Sequence, residues 1–139
     1  MSRLRITIAS LILAVSGLFA VSSPAHAHAC PNGYFPIVEG PFYLEGIPIA
    51  PHPYLVMLIL TAPNGNKVVE VVNQSASAVP VAVSVHELRT TWTRIDAGTV
   101  SIGAHQSWCS RITNARGIQG DAQYNNTAGR WFAHAQYIT

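Results

Sequence analysis

Histidine and cysteine crowd one short stretch, Ala25-His26-Ala27-His28-Ala29-Cys30, and their chemistry depends on where the chain is cut. A cut after Ala27 exposes the amine and ring nitrogen of His28. A second imidazole, from His52, His105 or His134, would then complete a three-nitrogen set of the kind copper accepts. A cut after Ala29 leaves Cys30 first and removes that option. Cys30 has a single counterpart, Cys109, and in an oxidising compartment such a pair reads as one disulfide. Without a C-x-x-C motif or an adjacent charge to activate a thiol, the pair is expected to be a staple. On the chain-entropy model, closing a loop of about 80 residues stabilises by about 4 kcal/mol.

Other residues supply the types needed for acid–base or Ser-His-Asp chemistry: His86 with Glu87, His105 with Ser107, and the aspartates Asp96 and Asp121. No G-x-S-x-G, H-E-x-x-H or paired-carboxylate motif frames them, so the expectation is a protein without catalytic residues or a cofactor. Copper stands as the alternative. Asn73-Gln74-Ser75 and Asn125-Asn126-Thr127 match the glycosylation sequon, and both fall in expected turns.

Several elements must position these groups. Arg3 and Arg5 precede an apolar run, Ile6 to Val21, which is followed by Pro24 and two overlapping A-x-A sites. This is the layout of a secretory signal peptide, residues 1–27 with an alternative end at 29. The run is shorter than the roughly 20 residues of a spanning helix, so cleavage is expected rather than anchoring. A lipoprotein signal would place a Leu-like residue where Ala27 stands, which argues against lipidation of Cys30. The expected location is extracellular or on the cell surface, or periplasmic in a Gram-negative cell.

Removing 27 of the 139 residues leaves 112, enough for one domain. Eight basic residues less Arg3 and Arg5 leave six against six acidic ones, a formal balance of zero. With Lys67 the single lysine and no basic cluster, nucleic acid is excluded as a partner. Charged residues are 10% of the chain against roughly 25% in ordinary domains, so its surface is suited to contact with itself or another protein.

Residues 28–53 carry six prolines between Pro31 and Pro53. Prolines at that density forbid helix and suit an extended arm. Its apolar side chains Tyr34, Phe35, Phe42, Tyr43 and Leu44 need cover, and they are the expected contacts with a partner. From residue 54 to 139 the pattern is strand after strand. "YLVMLILT" and "VVEVV" flank Asn64-Gly65, a type I′ hairpin signal. "VPVAVSVHEL" alternates with period two and puts His86 on the face opposite the valines. "TTWTRI" is anchored by Trp92, turns at Asp96–Gly98 and continues as "TVSI". "HQSWCSRI" follows, then a long loop from Thr113 to Gly129 holding at most one short strand. "RWFAHAQYI", apolar on both faces, is expected to be interior or covered.

The stretch "VVNQSASAVPVAV…IDAGTVSI" resembles immunoglobulin-like bacterial surface domains, and an N-terminal His resembles copper-binding periplasmic proteins. The expected fold is an all-β, antiparallel sandwich of six or seven strands preceded by the arm. The expected function is a secreted, non-catalytic structural or adhesive subunit that contacts protein, including a second copy of itself as oligomer or fibre. A small copper-binding protein is the alternative.

Overall fold

Side-chain alternation builds the wall of this molecule. In "VPVAVSVHEL", Val79, Val81, Val83 and Val85 turn to one side and are buried, while Ala82, Ser84 and His86 turn to the other. The computed structural model describes residues 30–139, and the segment expected as a signal peptide, with His28, lies outside the described residues. The pattern recurs in eight strands: β1 (Phe35–Leu44), β2 (Ile47–Thr61), β3 (Lys67–Asn73), β4 (Val79–Leu88), β5 (Trp92–Ile102), β6 (Gln106–Cys109), β7 (Gly117–Asn126) and β8 (Gly129–Ile138). All pair antiparallel in one sheet of order β5-β4-β7-β8-β1-β2-β3-β6. No helix among the described residues is long and apolar enough to cross a membrane.

The all-β antiparallel expectation holds. The six- or seven-strand sandwich is replaced by eight strands in a single, nearly closed, barrel-like sheet. Each strand carries one apolar stripe, and the right-handed twist of a wide sheet brings those stripes together on the inside. Phe42, Met57, Ile59, Val71, Val85 and Ile118 are fully buried there, each worth roughly 1.5–3 kcal/mol against exposure. The ends of the strand order, β5 and β6, lie beside one another and are joined by the turn Gly103–His105.

Asn73 stitches this seam. Its buried Nδ2 donates to the carbonyls of Ser77, Ile102 and Gly103 at 2.8, 3.0 and 3.1 Å. Its Oδ1 accepts from the N–H and the hydroxyl of Ser75 at 2.9 and 2.7 Å. With its nitrogen committed and buried, Asn73 is a structural residue rather than a modification site. Asn125, on β7, is exposed.

Five local expectations change. Residues 31–53 are extended, but they are not an arm appended to a domain, because β1 sits inside the sheet between β8 and β2. The β2–β3 turn is not type I′. Gly65 N–H donates to the Ala62 carbonyl at 2.9 Å, which centres the turn on Pro63-Asn64, and of these loop residues only Gly65 has positive φ, +90°. Proline presets the first of those positions and glycine takes the left-handed one. Asp96–Gly98 is no turn: β5 runs straight through, opposite β4, with Ile95 as an unopposed residue. Trp92, expected as an anchor, is 37% exposed.

The fifth change is the largest. The Gly- and Asn-rich stretch expected as a loop contains the ten-residue strand β7, paired with β8 along its whole length and with β4 from Gly117 to Gln123. A Cβ on Gly120 would stand 2.9 Å from Val69 Cγ1 and 3.0 Å from Met57 Sδ. Glycine is there because the opposite wall already fills that space. β8 is an interior strand as expected, although its outward residues Phe132, His134 and Gln136 are exposed.

Candidate functional site

Cys30 and Cys109 form the expected disulfide, with Cα atoms 5.1 Å apart. It lies outside the sheet, where Cys30, Tyr34 and Leu58 pack on Leu60, Val68 and Cys109 as a small second core. Glu70, opposite Cys109 in the β3–β6 ladder, brings Oε2 to 3.6 Å from Cys30 Sγ. Cys30, Glu70 and Cys109 are the group of three metal-ligand types that the described residues bring together. Both sulfurs are spent on each other, so the group is a staple. A disulfide fits an oxidising compartment.

The β1–β2 hairpin is irregular by construction. Leu44 pairs with Ile47, Tyr43 with Pro51 and Pro41 with Val56, so β2 loops out extra residues at each step. Pro48, Pro51 and Pro53 have no N–H to give the ladder, and the chain between them bulges outward. Ile47 is 49%, Ile49 84% and Tyr54 52% exposed. The five residues expected as partner contacts, Tyr34, Phe35, Phe42, Tyr43 and Leu44, differ in exposure. Phe42 is wholly buried in the core and unavailable to a partner. Tyr34 is tucked against the disulfide, Phe35 is 48% exposed, and Tyr43 and Leu44 are partly buried along a groove. The alternation of isoleucine and proline in "GIPIAPHPY" was the available signal for the exposed residues.

That groove, of about 600 Å³, separates the hairpin from β7 and β8. Tyr43, Leu44 and Pro48 form one side, and Phe132, His134 and Asp121 the other. Asp121 and His134 are cross-strand partners, with His134 Nδ1 2.7 Å from Asp121 Oδ1. Gln119 Nε2 donates to Asp121 Oδ2 at 3.0 Å. A carboxylate oxygen accepts, so His134 Nδ1 is the donor in this bond.

The residues considered for chemistry are dispersed. Ser84, Asp121 and His134 stand in one row across β4, β7 and β8, but Asp121 is in the middle. A hydrolytic triad needs the imidazole between hydroxyl and carboxylate. His105 occupies the seam turn with φ +58°, and Ser107 is exposed on β6. Asp96 accepts the Arg111 N–H at 3.0 Å. Glu87 accepts from the Thr113 hydroxyl and, at 3.1 Å, from Arg89 Nε. The Thr113 bond first, and then Arg89, hold the Glu87 carboxyl below its ordinary pKa against the opposing effect of burial.

His52 sits among aromatic edges, its ring centroid 4.7 Å from Trp131, 5.8 Å from Tyr124 and 6.2 Å from Tyr54. Its Nδ1 accepts the Tyr54 N–H at 3.1 Å. Burial lowers its pKa, which keeps the ring neutral. His52, His105 and His134 do not form a group of three ligand atoms. Lys67, the lone lysine, is buried and donates to the Gly65 and Ala115 carbonyls at 2.9 and 2.8 Å, its pKa lowered by burial.

No family model, no curated protein and no solved structure matches this chain.

Proposed function

We propose that this protein is an exported, non-catalytic structural or adhesive subunit that associates with further copies of itself through the β1–β2 hairpin. The observation that carries this reading is the exposure of Ile47, Ile49 and Tyr54 on a strand that proline stiffens. A stiff apolar ridge loses little conformational entropy on docking, and a chain low in charge offers little repulsion to a like surface. The contact is packing of side chains rather than strand addition, because Pro48, Pro51 and Pro53 leave few free donors along that stretch. In the row Ser84–Asp121–His134 the carboxylate, not the imidazole, stands next to the hydroxyl, which is not the order of a hydrolytic triad and supports the non-catalytic part. The disulfide supports an extracellular or periplasmic setting.

Sedimentation velocity over a wide concentration range tests the reading. Association that weakens with Ile49→Asp and Tyr54→Ala is expected. A monomer at every concentration, or association indifferent to both changes, refutes it.

A further inference from the structure

We infer that the outer face of β4, β7 and β8, together with the groove at its β1 end, binds a neutral carbohydrate chain. The site borders the hairpin, whose Tyr43, Leu44 and Pro48 form one side of the groove, but it uses none of the exposed Ile47, Ile49 and Tyr54 and does not rest on the association reading. Cross-strand register sets nine side chains in three rows. His86, Gln119 and Gln136 form the first, Ser84, Asp121 and His134 the second, and Ala82, Gln123 and Phe132 the third. Successive rows are about 7 Å apart along the strands, and neighbours within a row about 5 Å apart.

Six of the nine end in a flat amide, carboxylate or imidazole group, each presenting hydrogen-bonding atoms in one plane. Pairs of adjacent sugar hydroxyls, which both donate and accept, match such groups. The central ones are already oriented. Asp121 is held by His134 at 2.7 Å and Gln119 at 3.0 Å, and the Gln123 amide nitrogen donates to Asn125 Oδ1 at 3.3 Å, leaving its carbonyl free to accept. At the far corner His86 Nδ1 is buried and meets no partner among the described residues.

Phe132 supplies the other half of sugar recognition. It is 38% exposed, sits opposite Tyr43 in the β1–β8 ladder and faces the groove. A pyranose has an apolar C–H face that an aromatic ring covers while the ring hydroxyls reach the polar rows. The neighbouring charges select against other ligands. Asp121 at the centre repels polyanions, and Arg130 at the border lies over the Phe132 ring at 5.9 Å and 3.7 Å from Glu45. Within the nine, Phe132 is the one large apolar side chain, too few for the apolar centre of a protein interface.

Affinity electrophoresis of the intact disulfide-bonded protein through gels containing hydroxyethyl cellulose, galactomannan or xylan tests this, with pull-down on insoluble cellulose and chitin in high salt. Retardation by at least one neutral polysaccharide, persisting in high salt, is expected. Phe132→Ala and His134→Ala should each weaken it by roughly tenfold, and Gln123→Ala by roughly threefold. Ser107→Ala on β6 should leave it unchanged. All four positions face solvent or the sheet surface, and an unchanged near-UV spectrum certifies each variant as folded. Absence of binding to every polysaccharide, binding abolished by salt, or binding equal in Phe132→Ala and the parent overturns the inference.

Discussion

The two outer faces of this sheet are finished in opposite ways. Across β2, β3 and β6 the outside is apolar, with Leu58, Leu60 and Val68, and it is roofed by Cys30 and Tyr34. Across β4, β7 and β8 the outside carries glutamine, serine, aspartate and histidine and is open to solvent. The inward residues of both halves are alike. The difference lies in the second parity of each strand: "YLVMLILT" and "KVVEVV" are apolar at odd and even positions, whereas "VPVAVSVHEL" and "GIQGDAQY" alternate. A strand apolar on both faces needs a second cover. A roof of a few residues buries too little to hold itself down, and a covalent bond to Cys109 does so instead.

Breaking that bond is the most severe test of the comparison. Replacing both Cys30 and Cys109 by serine should cost about 4 kcal/mol in urea unfolding, given a loop of 79 residues. A loss under about 1 kcal/mol would show that packing alone holds the roof.

The next effect is at the seam where the two halves meet. Asn73→Ala leaves the buried Ile102 carbonyl and the part-buried Ser77 and Gly103 carbonyls short of a donor and should cost about 2 kcal/mol, read from the same unfolding curves. An unchanged midpoint would mean the closure of the sheet does not depend on Asn73.

Acid should act on both halves in turn. His52 in the folded protein has a pKa below the ordinary 6.5, so the unfolded chain binds its proton first, and stability falls as pH drops below about 6.5. Glu87 has a folded pKa below the ordinary 4.5, so its contribution is complete above about 4.5 and is lost as pH falls through the folded value. Melting temperature against pH should therefore show two declines. Thr113→Val should weaken the lower one, and His52→Phe should remove the upper one.

The smallest effect belongs to the open face. Gln136→Ala should change stability by no more than about 0.5 kcal/mol, because that face contributes no core. A larger loss in thermal unfolding would mean the polar rows are structural after all.

Much of the fold was legible where the reason was local. The valine alternation from Val79 to Val85 announced β4 and put His86 outside, and the cysteine pair announced the staple. What was missed had distant causes. "GIQGDAQYNN" has the composition of a loop, and it is a strand because Val69 and Met57 on the opposite wall occupy the room a side chain at Gly120 would need. Asp96–Gly98 reads as a turn, and pairing with β4 holds it extended. Asn73 matched a sequon, and only the approach of Ile102 and Gly103 turned its nitrogen into a stitch. The polar rows were invisible for the same reason, since Ser84, Asp121 and His134 are neighbours only through register.

By itself the sequence determined an all-β chain with period-two strands, a single cysteine pair, a proline-stiffened apolar stretch and a nearly neutral surface, because each of these follows from the chemistry of adjacent residues. The tertiary structure alone decided that eight strands share one curled sheet, that Phe42 is core while Ile49 is surface, and that one outer face is roofed and the other left open. Those outcomes depend on which strands become neighbours, and pairing between strands far apart in sequence is set by how the whole apolar surface can be enclosed.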